Sequence, residues 1–139
     1  DLEPFTRMIH DHYRSSMTPV QVYDAQVAIQ QAGWQLGAMF ADHDLLLTPT
    51  LPLPVPELGH LDTTAPTSMW QRSGDYSSFT AFANATGMPA MSVPCGVDAA
   101  GLPLGAHFIG DLGSEGTLLS LATQLEQAAP WPLLAPSYR

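Results

Sequence analysis

Val22, Ala25, Ile29, Ala32, Leu36 and Met39 recur three or four positions apart, the spacing that lines up apolar side chains on one face of an α-helix. Thr18, Pro19 and Gln21 stand just ahead of them. Threonine can cap, proline suits the first helical position, and a glutamine three residues after the cap can close a capping box. The pattern predicts a helix from Pro19 to about Phe40. Gly33 and Gly37 each weaken it by about 1 kcal/mol relative to alanine, and let another element come close. Upstream, residues 1–14 (DLEPFTRMIHDHYR) read as the end of a helix with a mixed face.

Past this helix the pattern shortens. Asp44 to Thr48 (DLLLT) is a continuous apolar run that suits a strand covered on both faces. Prolines at 49, 52, 54 and 56 then exclude a helix or a central strand, and an extended connection is expected. It continues as a polar, irregular loop to about Tyr76, a length more often functional than idle. Ser78 to Thr86 predicts a short helix capped by Ser77 or Ser78 and ended by Gly87. Ala90 to Val93 reads as a strand starting behind Pro89 and stopping at Pro94. Residues 96–101 make a turn, and Leu104 to Ile109 return as the second strand of a hairpin. Ser114 is placed to cap a last helix with Leu118, Leu121, Ala122 and Leu125 inward, ending before Pro130; the tail WPLLAPSYR reads as irregular. Three strands are few for a sheet, so completion by residues outside the chain is expected.

Composition narrows the function classes. Of 139 residues, 45% are apolar, enough for a core. The net charge is −9, and the basic residues are Arg7, Arg14, Arg72 and Arg139, with no lysine. Such a surface repels phosphate backbones, so no nucleic-acid partner is expected. No apolar run approaches the roughly 18 residues of a membrane span, so no membrane partner is expected. One cysteine, Cys95, excludes an internal disulfide and favours a cytoplasmic setting. The chain opens at Asp1 inside a helical pattern, as a fragment or a processed product would.

No complete catalytic constellation is legible. There is no Gly-x-Ser-x-Gly elbow, and capping explains Ser15–Ser16 and Ser77–Ser78 better than nucleophilic chemistry. Cys95 follows a proline with no neighbouring base, so it reads as an ordinary thiol. His10 and His12 point to different helix faces, and no histidine shows a zinc spacing. His107, inside an apolar strand, reads as a hydrogen-bonded core residue. The scattered aspartates fit capping and solvation. Without a phosphate loop or dinucleotide fingerprint, no cofactor is expected.

Taken in order, the segments DLLLTPTLPLP, FTAFANATGMPAMSVPCG, GLPLGAHFIG and SEGTLLSLATQLEQAAPW resemble the C-terminal part of amidase-signature enzymes. The resemblance runs from about Leu36 to Trp131. It implies an α/β fold in which residues 1–139 are the C-terminal portion of a single amidase domain, part of a mixed β-sheet core flanked by helices. Family members hydrolyse amides with a Ser, a cis-configured Ser and a Lys. That Lys and the glycine- and serine-rich signature belong to an N-terminal portion that is not present, so no catalytic residue carries over.

The implied partners are a small-molecule amide substrate and the remainder of the parent amidase chain. The segment would contribute sheet, core and one wall of the cleft, and be inactive by itself. Phe79, Thr80 and Asn84 are the substrate-wall candidates the family motif brings, with Ser77 and Trp70 beside them. Asn84 could tie its helix to a loop by hydrogen bonds. In glutamine amidotransferases of the family, the homologous chain usually carries an acid two positions before the Phe-Thr pair, where this chain has Ser77, unless Asp75 substitutes. That points to a neutral, apolar amide rather than glutamine. Two alternatives stay open: a stand-alone non-catalytic domain binding a ligand or partner, and the amidase-like subunit of a glutamine amidotransferase. Apolar edges left by an incomplete sheet would also favour a homodimer or aggregation.

Overall fold

A computed structural model describes residues 2–131; the tail beyond Trp131 lies outside the described residues. Five helices and three strands follow one another as α1 (Pro4–Ser16), α2 (Pro19–Met39), β1 (Leu45–Pro49), α3 (Pro66–Tyr76), α4 (Thr80–Thr86), β2 (Ala90–Val97), β3 (Pro103–Gly110) and α5 (Glu115–Ala128). The class is α/β as expected, and the three strands present are all antiparallel, in the order β1-β3-β2.

α2 forms as its start signals require. The Thr18 hydroxyl accepts from the Gln21 N–H at 3.3 Å, and the Gln21 side chain accepts from the Thr18 N–H at 2.9 Å. This box satisfies two of the N–H groups that a helix start leaves unpaired. A β-carbon on Gly33 would lie 3.6 Å from Thr86 Cγ2, and one on Gly37 would lie 3.8 Å from Met88 Cε. The two glycines therefore face α4 and the start of β2 at ordinary van der Waals distance. α1 is a 13-residue helix with Pro4 at its first position, not only the end of one.

The hairpin forms β2 and β3, and β3 is the central strand. His107 stands between Thr48 and Ser92, and Ile109 between Leu46 and Ala90. α5 covers the opposite face, where Leu45 shares a small cavity with Gly116, Thr117 and Leu121. Met88, Val93, Ile109 and Leu118 are the buried apolar residues among those described. Leu118, Leu121, Ala122 and Leu125 do face inward on α5.

Four expectations need correction. The segment before Tyr76 is not irregular throughout, because α3 occupies its last eleven residues with Pro66 at the first helical position. Pro94 does not stop β2. The strand runs on to Val97 past a bulge between Pro94 and Gly96, which an edge strand tolerates because one of its sides has no ladder to break. Ser77, Ser78 and Ser114 do not cap. Their hydroxyls donate to the carbonyls of Ser73, Gly74 and Asp111, at 3.0, 3.2 and 2.7 Å. β1 is not covered on both faces, since it is an edge strand with Leu47 61% exposed.

Candidate functional site

The five residues singled out from the sequence fall on α3, α4 and the short junction between them. Ser77 is the C-cap of α3 and Phe79 the N-cap of α4. Thr80 opens α4 and Asn84 follows one turn later. Four positions apart, these two share a helix face. Gly87 ends α4 with φ +75°, a left-handed conformation that glycine adopts without a steric penalty. Phe79 and Thr80 are half-buried, whereas Ser77 and Asn84 are exposed. The Ser77 hydroxyl is spent on the Ser73 carbonyl, and the Thr80 hydroxyl donates to the Ser77 carbonyl at 3.4 Å. The Asn84 side chain has no hydrogen-bond partner among the described residues, so it does not tie α4 to a loop.

Trp70 is on α3 and not in a loop, and it faces α1. Its ring centroid lies 6.1 Å from that of Tyr13 and 6.4 Å from that of Phe5. With Met8, Ile9, His12, Tyr13 and Gln71 it lines an open cavity of about 630 Å³, within the size range of small-molecule sites. Ser77, Phe79, Thr80 and Asn84 do not line it. The fold therefore gathers four of the five candidates at the α3–α4 junction and separates the fifth.

A second recess adjoins the junction. Leu53, Pro54, Val55, Pro56, His60 and Tyr76 enclose about 420 Å³ between the proline-rich segment and the end of α3. The segment is held there by side chains the sequence reading passed over. Arg72 donates to the His60 carbonyl at 2.8 Å, and the His60 ring packs edge-on against Tyr76 at 5.9 Å. Asp62 accepts from the Thr64 hydroxyl at 2.7 Å and from its N–H at 2.8 Å. These bonds, the hydroxyl's first, hold the Asp62 carboxyl below the usual carboxylate range.

A third polar group is inside the sheet. His107 is 4% exposed, and its Nδ1 lies 3.1 Å from the Thr48 hydroxyl on β1. One step along the same face, the hydroxyls of Thr50 and Ser92 bond to each other across Gly105. Burial lowers the His107 pKa, because the charged ring loses its water. Neither the Tyr13–Trp70 contact nor the Thr48–His107 pair has a local sequence signature, since each joins residues more than fifty positions apart.

The arrangement suits recognition better than bond breaking. The serines of the junction have spent their hydroxyls on main-chain carbonyls, and Cys95 is exposed. The chain has no lysine.

Helices around an antiparallel sheet, with a polar junction between two short helices, define an α/β segment of the kind found in larger hydrolases. The Amidase family model matches residues 2–119, and the chain belongs to that family. It is 42% identical over 92 residues to a Mycobacterium leprae protein provisionally named amidase AmiC, covering 66% of this chain and 20% of that one. It is 34% identical over 113 residues to the 6-aminohexanoate-cyclic-dimer hydrolase of Paenarthrobacter ureafaciens, covering 76% and 21%. A solved 6-aminohexanoate cyclic dimer hydrolase, complexed with substrate, superposes with a TM-score of 0.72 at 26% identity over 88% of this chain and 27% of that one. The chain thus spans about a fifth of the length of the curated relatives it matches.

Proposed function

We propose that this chain is part of an amidase that hydrolyses a carboxylic amide to an acid and an amine or ammonia. Its contribution is sheet, core and one wall of the substrate cleft. The observation that carries this reading is the family match over residues 2–119 together with the superposition on a substrate-binding hydrolase. In the reaction the family resemblance implies, a Ser, a cis-configured Ser and a Lys activate the nucleophile, and backbone N–H groups hold the oxyanion. Those groups come from outside this chain, so the isolated chain is inactive.

Ser77, Phe79, Thr80 and Asn84 form the wall, and the exposed amide of Asn84 is the group free to bind a substrate carbonyl or N–H. Trp70 belongs to the same reading only as an outer, apolar element on the α1 side. Ser77 stands where an acid would read an ammonium, which favours a neutral amide over glutamine. A cytoplasmic setting goes with the reading, since the single cysteine can form no internal disulfide.

The glutamine amidotransferase reading has its own support in a 41% identity over 90 residues to the amidase-like chain of the glutamyl-tRNA(Gln) amidotransferase of Halothermothrix orenii. The test is hydrolysis of neutral aliphatic and aryl amides against glutamine by the chain combined with the remaining part of an amidase. Turnover of the neutral amides is expected. Turnover of glutamine alone would favour the amidotransferase reading, and no turnover of any amide would overturn both. The chain by itself should turn over none, and activity surviving replacement of Ser77, Ser78 and Cys95 would contradict the division of labour.

A further inference from the structure

α2 is 21 residues long and none of them is buried. Its one charged side chain is Asp24. Val20, Val22, Tyr23, Ile29 and Trp34 are 67, 45, 65, 43 and 74% exposed. At 100° per residue, Val22 and Ile29 point one way, and Val20, Tyr23 and Trp34 another. A helix that is apolar on several sides is built to be enclosed. Within the described residues α2 packs mainly on α4. Beside Trp34 lies a cavity of about 620 Å³ lined also by Ile29, Gly33, Thr86, Met88 and Leu112, a socket for apolar side chains.

The total surface makes the same point. A folded monomer of 14.9 kDa exposes about 7,000 Å², while this chain exposes 10159 Å². Allowing for the ends of the chain, the excess is on the order of 2,000–3,000 Å². Strands β1 and β2 each pair on one side only. Leu112 and Leu119, 65 and 68% exposed, extend the uncovered surface beyond α2.

A contact between two copies uses one self-complementary patch on each, and a standard interface covers about 800 Å² per partner. That is about a third of the excess, and one such patch cannot cover two sheet edges and two sides of α2. One larger occupant can. We propose that α2, with Tyr23 and Trp34 at its centre, is the seam at which this chain packs into the remaining four-fifths of an amidase domain, the portion outside the span matched in the relatives. This rests on the amidase reading above, and it names the surface through which that reading is realised.

The test is to co-express the tagged 139-residue chain with the Paenarthrobacter ureafaciens hydrolase from which the matched segment has been deleted. Sedimentation reads the stoichiometry and hydrogen exchange reads α2. A one-to-one complex is expected, with α2 amides slowed at least about tenfold relative to the chain alone, and with Trp34→Glu weakening the complex at least tenfold while leaving exchange of β3 unchanged. If the chain alone is monomeric with α2 protected as well as β3, the seam is overturned. A stable homodimer that protects α2 and excludes the other portion also overturns it, as does the absence of a complex with a deleted hydrolase that is soluble by itself. A deleted hydrolase that is soluble only together with the chain supports it. A one-to-one complex without amide turnover upholds the seam and counts against the amidase reading.

Discussion

The Thr48 hydroxyl on β1 meets Nδ1 of His107 on β3 at 3.1 Å, inside a sheet where the histidine is 4% exposed. The pair joins the edge strand to the central one. Burial lowers the His107 pKa in the folded state, so below the ordinary histidine value of about 6.5 the unfolded chain takes up a proton before the folded one does. Stability is therefore fully present above about pH 6.5, is lost as pH falls through that value, and levels off below the lower folded pKa. Denaturant midpoints measured from pH 8 to 5 should show this fall, and His107→Gln should flatten it. A fall that persists unchanged in His107→Gln would assign the effect to another group. Thr48→Val should cost about 1 kcal/mol at pH 7.5, because the buried ring loses its partner.

Gly105 sits beneath the Thr50–Ser92 hydrogen bond. A β-carbon there would stand 2.5 Å from the Thr50 hydroxyl oxygen, 3.0 Å from Thr50 Cβ and 3.1 Å from the Ser92 hydroxyl. Thr50 also donates its N–H to the Gly105 carbonyl at 2.9 Å, so it cannot retreat without loosening that bond. Gly105→Ala should destabilise by about 1–3 kcal/mol. Adding Thr50→Ala should recover part of the loss, because the nearest clash goes. Equal midpoints for Gly105→Ala and the parent chain would show that the neighbours give way freely.

Much of this fold was legible because the signals are local. The box of Thr18 and Gln21 needs only three residues, and Gly87 ends α4 by its own φ. The hairpin of β2 and β3 follows from two apolar runs and a turn. α3 escaped because its sequence, PTSMWQRSGDY, holds serine, threonine and glycine, which favour turns, and its apolar contact with Tyr13 and Phe5 comes from far away in the chain. Pro94 misled because a proline ends a strand only where its missing N–H would have been used. Three of the five candidate site residues came from one contiguous motif and stayed together on α4 and its N-cap. Trp70 did not join them, since the direction in which α3 presents it is set by packing on α1.

Gly33 offers a substitution that should stabilise. Its β-carbon would meet Thr86 at 3.6 Å, an ordinary contact, and alanine is favoured over glycine in a helix by about 0.8–1.0 kcal/mol. Gly33→Ala should therefore raise the unfolding free energy by about 0.5–1 kcal/mol, read as a higher denaturant midpoint with an unchanged slope. A lower midpoint would show that α2 and α4 come closer in solution than the structure places them.

Leu118 and Leu119 are neighbours with opposite surroundings, 4% and 68% exposed. Leu118→Ala should cost about 2–5 kcal/mol, a large share of the stability of so small a core. Leu119→Ala should cost under about 0.5 kcal/mol in the isolated chain. The same Leu119→Ala change should cost more once the chain is assembled with the rest of an amidase, if the uncovered surface around α5 is enclosed there. Thermal unfolding of both variants, alone and assembled, measures the difference. Similar losses for the two leucines in the isolated chain would contradict the packing of α5 on the sheet.

Asn84 and Trp70 should separate when the assembled amidase is assayed. Asn84 is exposed on α4, beside Thr80, and has no internal partner to lose. Its replacement by alanine removes only what the side chain gives to substrate. A hydrogen bond of about 1–2 kcal/mol corresponds to a five- to thirtyfold rise in KM, with kcat and the unfolding temperature little changed. Trp70 instead packs its ring on Tyr13 and Phe5. Trp70→Ala should lower stability by about 1–2 kcal/mol, less than a fully buried aromatic would cost, and should move KM less than Asn84→Ala does. Trp70→Phe should restore most of the stability. If Asn84→Ala leaves KM unchanged while Trp70→Ala raises it tenfold, the substrate wall lies on the α1 side of α3 and not at the α3–α4 junction.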